Sequence, residues 1–145
     1  MTVGSIPSNI SGAGTVTGVQ ATTGNSTVDI RTEAGSLTIS SPVTAKGTGN
    51  LILDAVGGSS DLSLGADVSA GASGKAHLHA GRDITQASGT VFVVAPTLLL
   101  QAARAIGAAG AGAIDLKAGT VAAQAAANIY LNQDEAGAAL TVGTA

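Results

Sequence analysis

The stretch Lys75-Ala76-His77-Leu78-His79-Ala80-Gly81-Arg82-Asp83-Ile84-Thr85 decides the reading of this chain. Ala76, Leu78 and Ala80 alternate with His77 and His79, the period-two pattern of a strand with one dry face and one wet face. Gly81 follows, where a sharp corner needs a residue without a side chain. A second short apolar–polar run begins at Ile84. The unit is therefore a strand, a tight corner and another strand, with no room for a helix between them.

The same unit recurs on both sides. Upstream lie Val28-Asp29-Ile30 before Ala34-Gly35, Leu37-Thr38-Ile39 before Val43-Thr44-Ala45, Leu51-Ile52-Leu53 before Gly57-Gly58, and Leu62-Ser63-Leu64 before Val68-Ser69-Ala70. Downstream lie Val91-Phe92-Val93 and Leu98-Leu99-Leu100, Ile114-Asp115-Leu116 and Val121-Ala122, and Ile129-Tyr130-Leu131 before Leu140-Thr141-Val142. Two successive steps sum to about 25 residues, as from Leu37 to Leu62 and from Leu51 to Ala76. That is the length of one solenoid coil carrying two or three short strands. Pro42 and Pro96 fall at strand edges or corners, where no ladder donor is required. Gln101 to Ala113 departs from the pattern: it is Ala-rich, which favours helix, but Gly107, Gly110 and Gly112 interrupt it. A short helix or a loop is expected near 101–113.

Composition agrees with stacked coils. Of 145 residues, 45% are hydrophobic, yet Phe92 and Tyr130 are the only aromatics and there is no Trp. Globular cores usually draw on large aromatics, whereas a narrow lumen between stacked coils is filled by Leu, Ile, Val and Ala. Charged residues are only 10%, but a positive mean hydropathy opposes disorder. The expected fold is all-β, a parallel β-helix, as a single domain over 1–145, with an irregular lead over 1–12 and stacked coils over 13–145.

Several function classes lose their footing on the same numbers. Without cysteine there is no disulfide frame and no thiolate site. A net charge of −3 supplies no basic footprint for nucleic acid. The longest apolar run, Val91 to Leu100, contains Pro96 and is too short for a membrane span. Met1 to Ser11 lacks the basic and apolar regions of a signal peptide, so an exported parent would carry its targeting segment elsewhere or have lost it.

The Lys75–Thr85 stretch resembles the repeat of filamentous haemagglutinin-like bacterial adhesins, in which a strand is followed by Ala-Gly-x-Asp-Ile/Leu and another short strand. Ala113-Ile114-Asp115-Leu116-Lys117-Ala118-Gly119-Thr120-Val121 and Leu37-Thr38-Ile39-Ser40-Ser41-Pro42-Val43 are weaker copies, and the similarity spans roughly residues 26 to 142. The resemblance implies a right-handed parallel β-helix, export to the bacterial cell surface, and a role in adhesion, biofilm or fibre formation. The partners it implies are a cell-surface or glycan ligand; end-to-end stacking with copies of itself is the alternative.

Candidate sites are few. His77 and His79, at i and i+2, offer half of a metal site that would need a third ligand from a neighbouring coil, such as an Asp; two exposed polar side chains are the plainer reading. Asp54, Asp61, Asp67 and Asp83 sit on successive segments. Stacking could pair two of them, as glycoside hydrolysis requires, but Asp is also a common turn residue. Val56-Gly57-Gly58-Ser59-Ser60-Asp61 faintly echoes a calcium-binding turn and reads better as a corner. Thr15-Val16-Thr17, Thr27, Thr38 and Thr44 could make an outward threonine array. Gly81-Arg82-Asp83 has the wrong order for an integrin-type tripeptide. Asn9-Ile10-Ser11 and Asn25-Ser26-Thr27 match glycosylation acceptors, a pattern common by chance. No catalytic, cofactor-binding or metal residue is assigned, and the chain is read as a non-enzyme, with a polysaccharide-active β-helix enzyme as the remote alternative.

Overall fold

The computed structural model describes residues 1–145 apart from 4, 7–15, 88, 135–138 and 144–145. It is an all-β solenoid of about five turns. Three columns of parallel strands run along it. The first contains Val28–Thr32, Leu51–Ala55, Lys75–Ala80, the second half of Val93–Ala102, the second half of Ile114–Gln124, and Thr141–Val142. The second contains Thr2–Val3, Leu37–Ile39, Leu62–Leu64, Asp83–Gln86 and Ala105–Ile106, extended by a bridge to Ile129. The third contains Val19–Gln20, Val43–Thr44, Val68–Ser69, the first halves of the two long strands, and Leu131–Gln133. A short antiparallel pair, Ser5–Ile6 with Val16–Thr17, stands apart.

The coil length follows from the register. Val28, Leu51, Ala76, Leu98, Val121 and Val142 lie in one column, at successive differences of 23, 25, 22, 23 and 21 residues. These values match the spacing expected from the sequence. The chain enters the stack at once, since Thr2 and Val3 pair with Thr38 and Ile39.

Alternation builds the interior. In Lys75–Ala80, Ala76, Leu78 and Ala80 are buried while His77 and His79 point outward. Leu53, Leu78 and Leu100 stack directly over one another and are fully buried, as are Leu62, Ile84 and Ile106 in the second column. Like residues at like heights fill the lumen without aromatics, and burial of this aliphatic surface is the main favourable term. Phe92 lies half-buried outside the lumen, with the Lys117 ammonium 4.0 Å from its ring centroid.

The short helix or loop expected near 101–113 is present in a narrower place. Strand continues through Ala102 and resumes at Ala105–Ile106, and helical geometry is confined to a single 3-10 turn at Gly110–Gly112. Helix propensity yields here because Ala102 and Ile106 gain burial and a ladder partner only by staying in register.

Corners are stacked as tightly as strands. The turns at 46–49 and 71–74 occupy equivalent places in successive coils, closed by Gly49 N–H to Lys46 O at 2.9 Å and Gly74 N–H to Gly71 O at 2.8 Å. A Cβ on Gly74 would lie 2.0 Å from the carbonyl oxygen of Gly49 in the coil below. Gly58 sits in a neighbouring corner with nothing within 4 Å of such an atom. The Val56–Asp61 segment is the corner it was expected to be, with Ser60 N–H on Gly57 O at 2.7 Å.

Candidate functional site: the outward polar track

The first column carries the longest strands and therefore the longest outward face. Two tracks run along it. One is Asp29, Ile52, His77, Leu99 and Ala122; the other is Arg31, Asp54, His79, Gln101 and Gln124. Strand pairing sets neighbours on a track about 4.8 Å apart, so each polar group meets the next coil's group at hydrogen-bonding range.

Two runs of contacts cross these tracks, one along Arg31, Asp54 and His79, the other from His77 to Gln101 and Gln124. Arg31 Nε lies 2.9 Å from Glu33 Oε1 and 3.7 Å from Asp54 Oδ2. Asp54 Oδ1 is 2.6 Å from His79 Nδ1. A carboxylate can only accept, so Nδ1 carries the proton and Nε2 is left as the acceptor nitrogen. In the other run, His77 Nε2 lies 2.9 Å from Gln101 Oε1, and Gln101 Nε2 donates to Gln124 Oε1 at 3.4 Å. Beside the track opens a groove of about 390 Å³ lined by His79, Gln101, Ala102, Ala103, Gln124, Ala125 and Ala126. The alanines give it apolar lining, and His79 and the two glutamines give it polar lining.

The other acidic residues are drawn into corners. Arg82 donates through Nε to Asp61 Oδ1 at 2.7 Å and through Nη2 to Asp61 Oδ2. One coil later Arg104 donates through Nε to Asp83 Oδ1 at 2.8 Å and through Nη2 to Asp83 Oδ2. Each carboxylate also takes a backbone N–H from the following coil, that of Asp83 on Asp61 at 3.3 Å and that of Ala105 on Asp83 at 3.0 Å. Ser36 Oγ fills the same slot for Asp61 N–H at 3.0 Å. Gly81-Arg82-Asp83 is thus one step of a staircase. Asp67 accepts the Phe92 N–H at 2.9 Å in a different corner. The four aspartates do not converge.

The staircase has a pH signature. The hydrogen bond from Arg82 holds the Asp61 carboxyl below the usual carboxylate range, against an opposing desolvation effect. The bond from Arg104 does the same for Asp83. A depressed carboxyl adds stability above its unfolded value, about 3.9, and loses it as pH falls through the lower folded value. Thermal midpoints should therefore hold from neutral pH down to about pH 4 and drop below it. Asp83→Asn should melt lower than the unchanged chain at neutral pH and converge with it in strong acid. Equal midpoints at neutral pH would show that the pair adds nothing.

Among the described residues the threonines do not form an array. Thr27 caps a corner through Asn50 N–H at 3.2 Å, Thr38 lies on the second column and Thr44 on the third. Thr15 and Asn9-Ile10-Ser11 lie outside the described residues. Asn25 accepts the Thr48 N–H at 3.1 Å through its side-chain oxygen. A knot joins buried Gln86 and Asp115 to exposed Asn132: Gln86 Nε2 and Asn132 Nδ2 donate to the Asp115 carboxylate at 2.7 and 2.6 Å.

Sequence reasoning named His77, His79 and Asp54 but missed Arg31, Gln101 and Gln124. The signal was present in the coil spacing, since 25 residues back from His79 is Asp54 and 22 forward is Gln101. Among the described residues no three His, Cys, Asp or Glu side chains are grouped to hold a metal ion, and no helix is long and apolar enough to cross a membrane. No family profile, curated protein or solved structure matches the chain.

Proposed function

We propose that this chain is a structural and adhesive β-helix module of a secreted bacterial surface protein, presenting its first-column face to a cell-surface or glycan ligand. The observation that carries the reading is the outward polar track: five side chains at coil spacing, on the longest strands, beside an open groove. A rigid comb of donors and acceptors suits an extended hydroxyl-rich ligand, which is bound by many modest hydrogen bonds rather than in one deep pocket. Secretion and the surface setting rest on the resemblance to filamentous haemagglutinin-like repeats.

Purified chain on beads, offered to a glycan array and to whole cells, tests this. Saturable binding is expected, lost in a Gln101→Ala/Gln124→Ala variant that melts like the unchanged chain. Equal capture by both chains, or by neither, would overturn it.

End-to-end assembly is the second reading. Among the described residues, Val28–Thr32 pairs only with Leu51–Ala55, and Val142 in the last strand of that column is 82% exposed. Unpaired strand edges are templates for further pairing, and a heterologous contact of this kind extends without closing. Light scattering should then show mass rising with concentration; a monomer at every concentration would remove the idea.

A further inference from the structure

The two outward histidines have what the sequence could not supply, an oxygen acceptor on one nitrogen of each ring. His79 Nδ1–H is held by Asp54, which leaves the Nε2 of this groove-lining residue without a hydrogen-bond partner among the described residues. Histidines that bind metals are supported in this way, by a carboxylate or carbonyl that fixes the tautomer and raises the basicity of the free nitrogen. Asp54 is thus the neighbouring-coil aspartate that a metal site needs, placed behind the imidazole instead of beside the ion.

Distances admit a shared ion. The ring centres of His77 and His79 are 6.4 Å apart and tilted by 42°. With metal–nitrogen bonds of about 2.0–2.1 Å, two imidazoles on one ion have centres up to about 6.4 Å apart. The pair stands at that limit, which sets the two nitrogens on opposite sides of the ion. His77 Nε2 and Gln101 Oε1 are 2.9 Å apart, the spacing of two donors at right angles around an ion with bonds of about 2.05 Å.

We propose that His79 Nε2, His77 Nε2 and Gln101 Oε1 bind one divalent late transition-metal ion, with Cu²⁺ preferred, and that Asp54 is the positioning residue. On binding, the proton on His77 Nε2 moves to Nδ1 and the ion takes its place; the ring stays neutral. Gln101 Oε1 loses its donor and turns a lone pair to the ion. Water completes the shell. Imidazole and amide donors suit Cu²⁺, which heads the divalent affinity order, and are poor donors for Ca²⁺.

Titration of the full chain with Cu²⁺, followed by calorimetry and electron paramagnetic resonance, tests the proposal. One equivalent is expected, with hyperfine splitting from two nitrogens. His79→Ala should weaken binding and reduce the splitting to one nitrogen. Asp54→Asn should keep both nitrogens and weaken binding roughly 10-fold or more. All these positions are at the surface, and circular dichroism melts will show whether each variant is folded. Absence of binding to the unchanged chain would overturn the proposal. So would the same affinity and spectrum in a His77→Ala/His79→Ala variant, which would place the ion at the amino terminus.

Discussion

Gly74→Ala should lower the unfolding free energy by about 3 kcal/mol or more, at the upper end of the cost of overpacking. The added methyl would sit 2.0 Å from the carbonyl oxygen of Gly49. That atom is backbone and is itself bonded to Gly71 N–H at 2.9 Å, so it cannot swing aside as a side chain would. Relief requires the two coils to part at this corner, which strains the adjoining ladder from Ala76 to Ala80. Gly58→Ala provides the internal control, with open space around the new atom and an expected change within about 0.5 kcal/mol. Urea titration of both variants by circular dichroism decides the matter. Equal midpoints would mean that the corner stack is looser than its geometry.

Leu78→Ala should cost about 3–4 kcal/mol, within the range for deleting a buried leucine and leaving a cavity. Leu78 is fully buried and lies between Leu53 and Leu100 in the same column. Coils touch only their neighbours, so the damage should be local. Hydrogen exchange should quicken most in 51–55 and 97–102 and least in the strands of the first and last coils. A uniform rise along the whole chain would contradict nearest-neighbour stacking and indicate a single cooperative unit.

The fold was legible because its main term is a repeated one. Each Leu-x-Leu or Ile-x-Leu run states which side is dry, and each Gly states where a corner falls, so Lys75–Thr85 alone implied the unit. What escaped was decided between coils. Gln101 read as the start of an Ala-rich loop because propensity is a property of the local chain, while its strand state depends on pairing with His79 and Gln124. Gly74 and Gly58 look alike in the sequence; only the carbonyl lying beneath one of them tells them apart. The candidate site was half legible for the same reason. His77 and His79 are sequence neighbours and stood out, whereas Asp54 and Gln101 join them only once the coil length is known to the residue.

The staircase bonds all point one way. Asp61 N–H reaches back to Ser36, Arg82 to Asp61 and Arg104 to Asp83. Every acceptor therefore belongs to a coil made earlier than its donor. A chain emerging from the ribosome would meet each of these anchors already made, and the staircase can form in the order of its own synthesis.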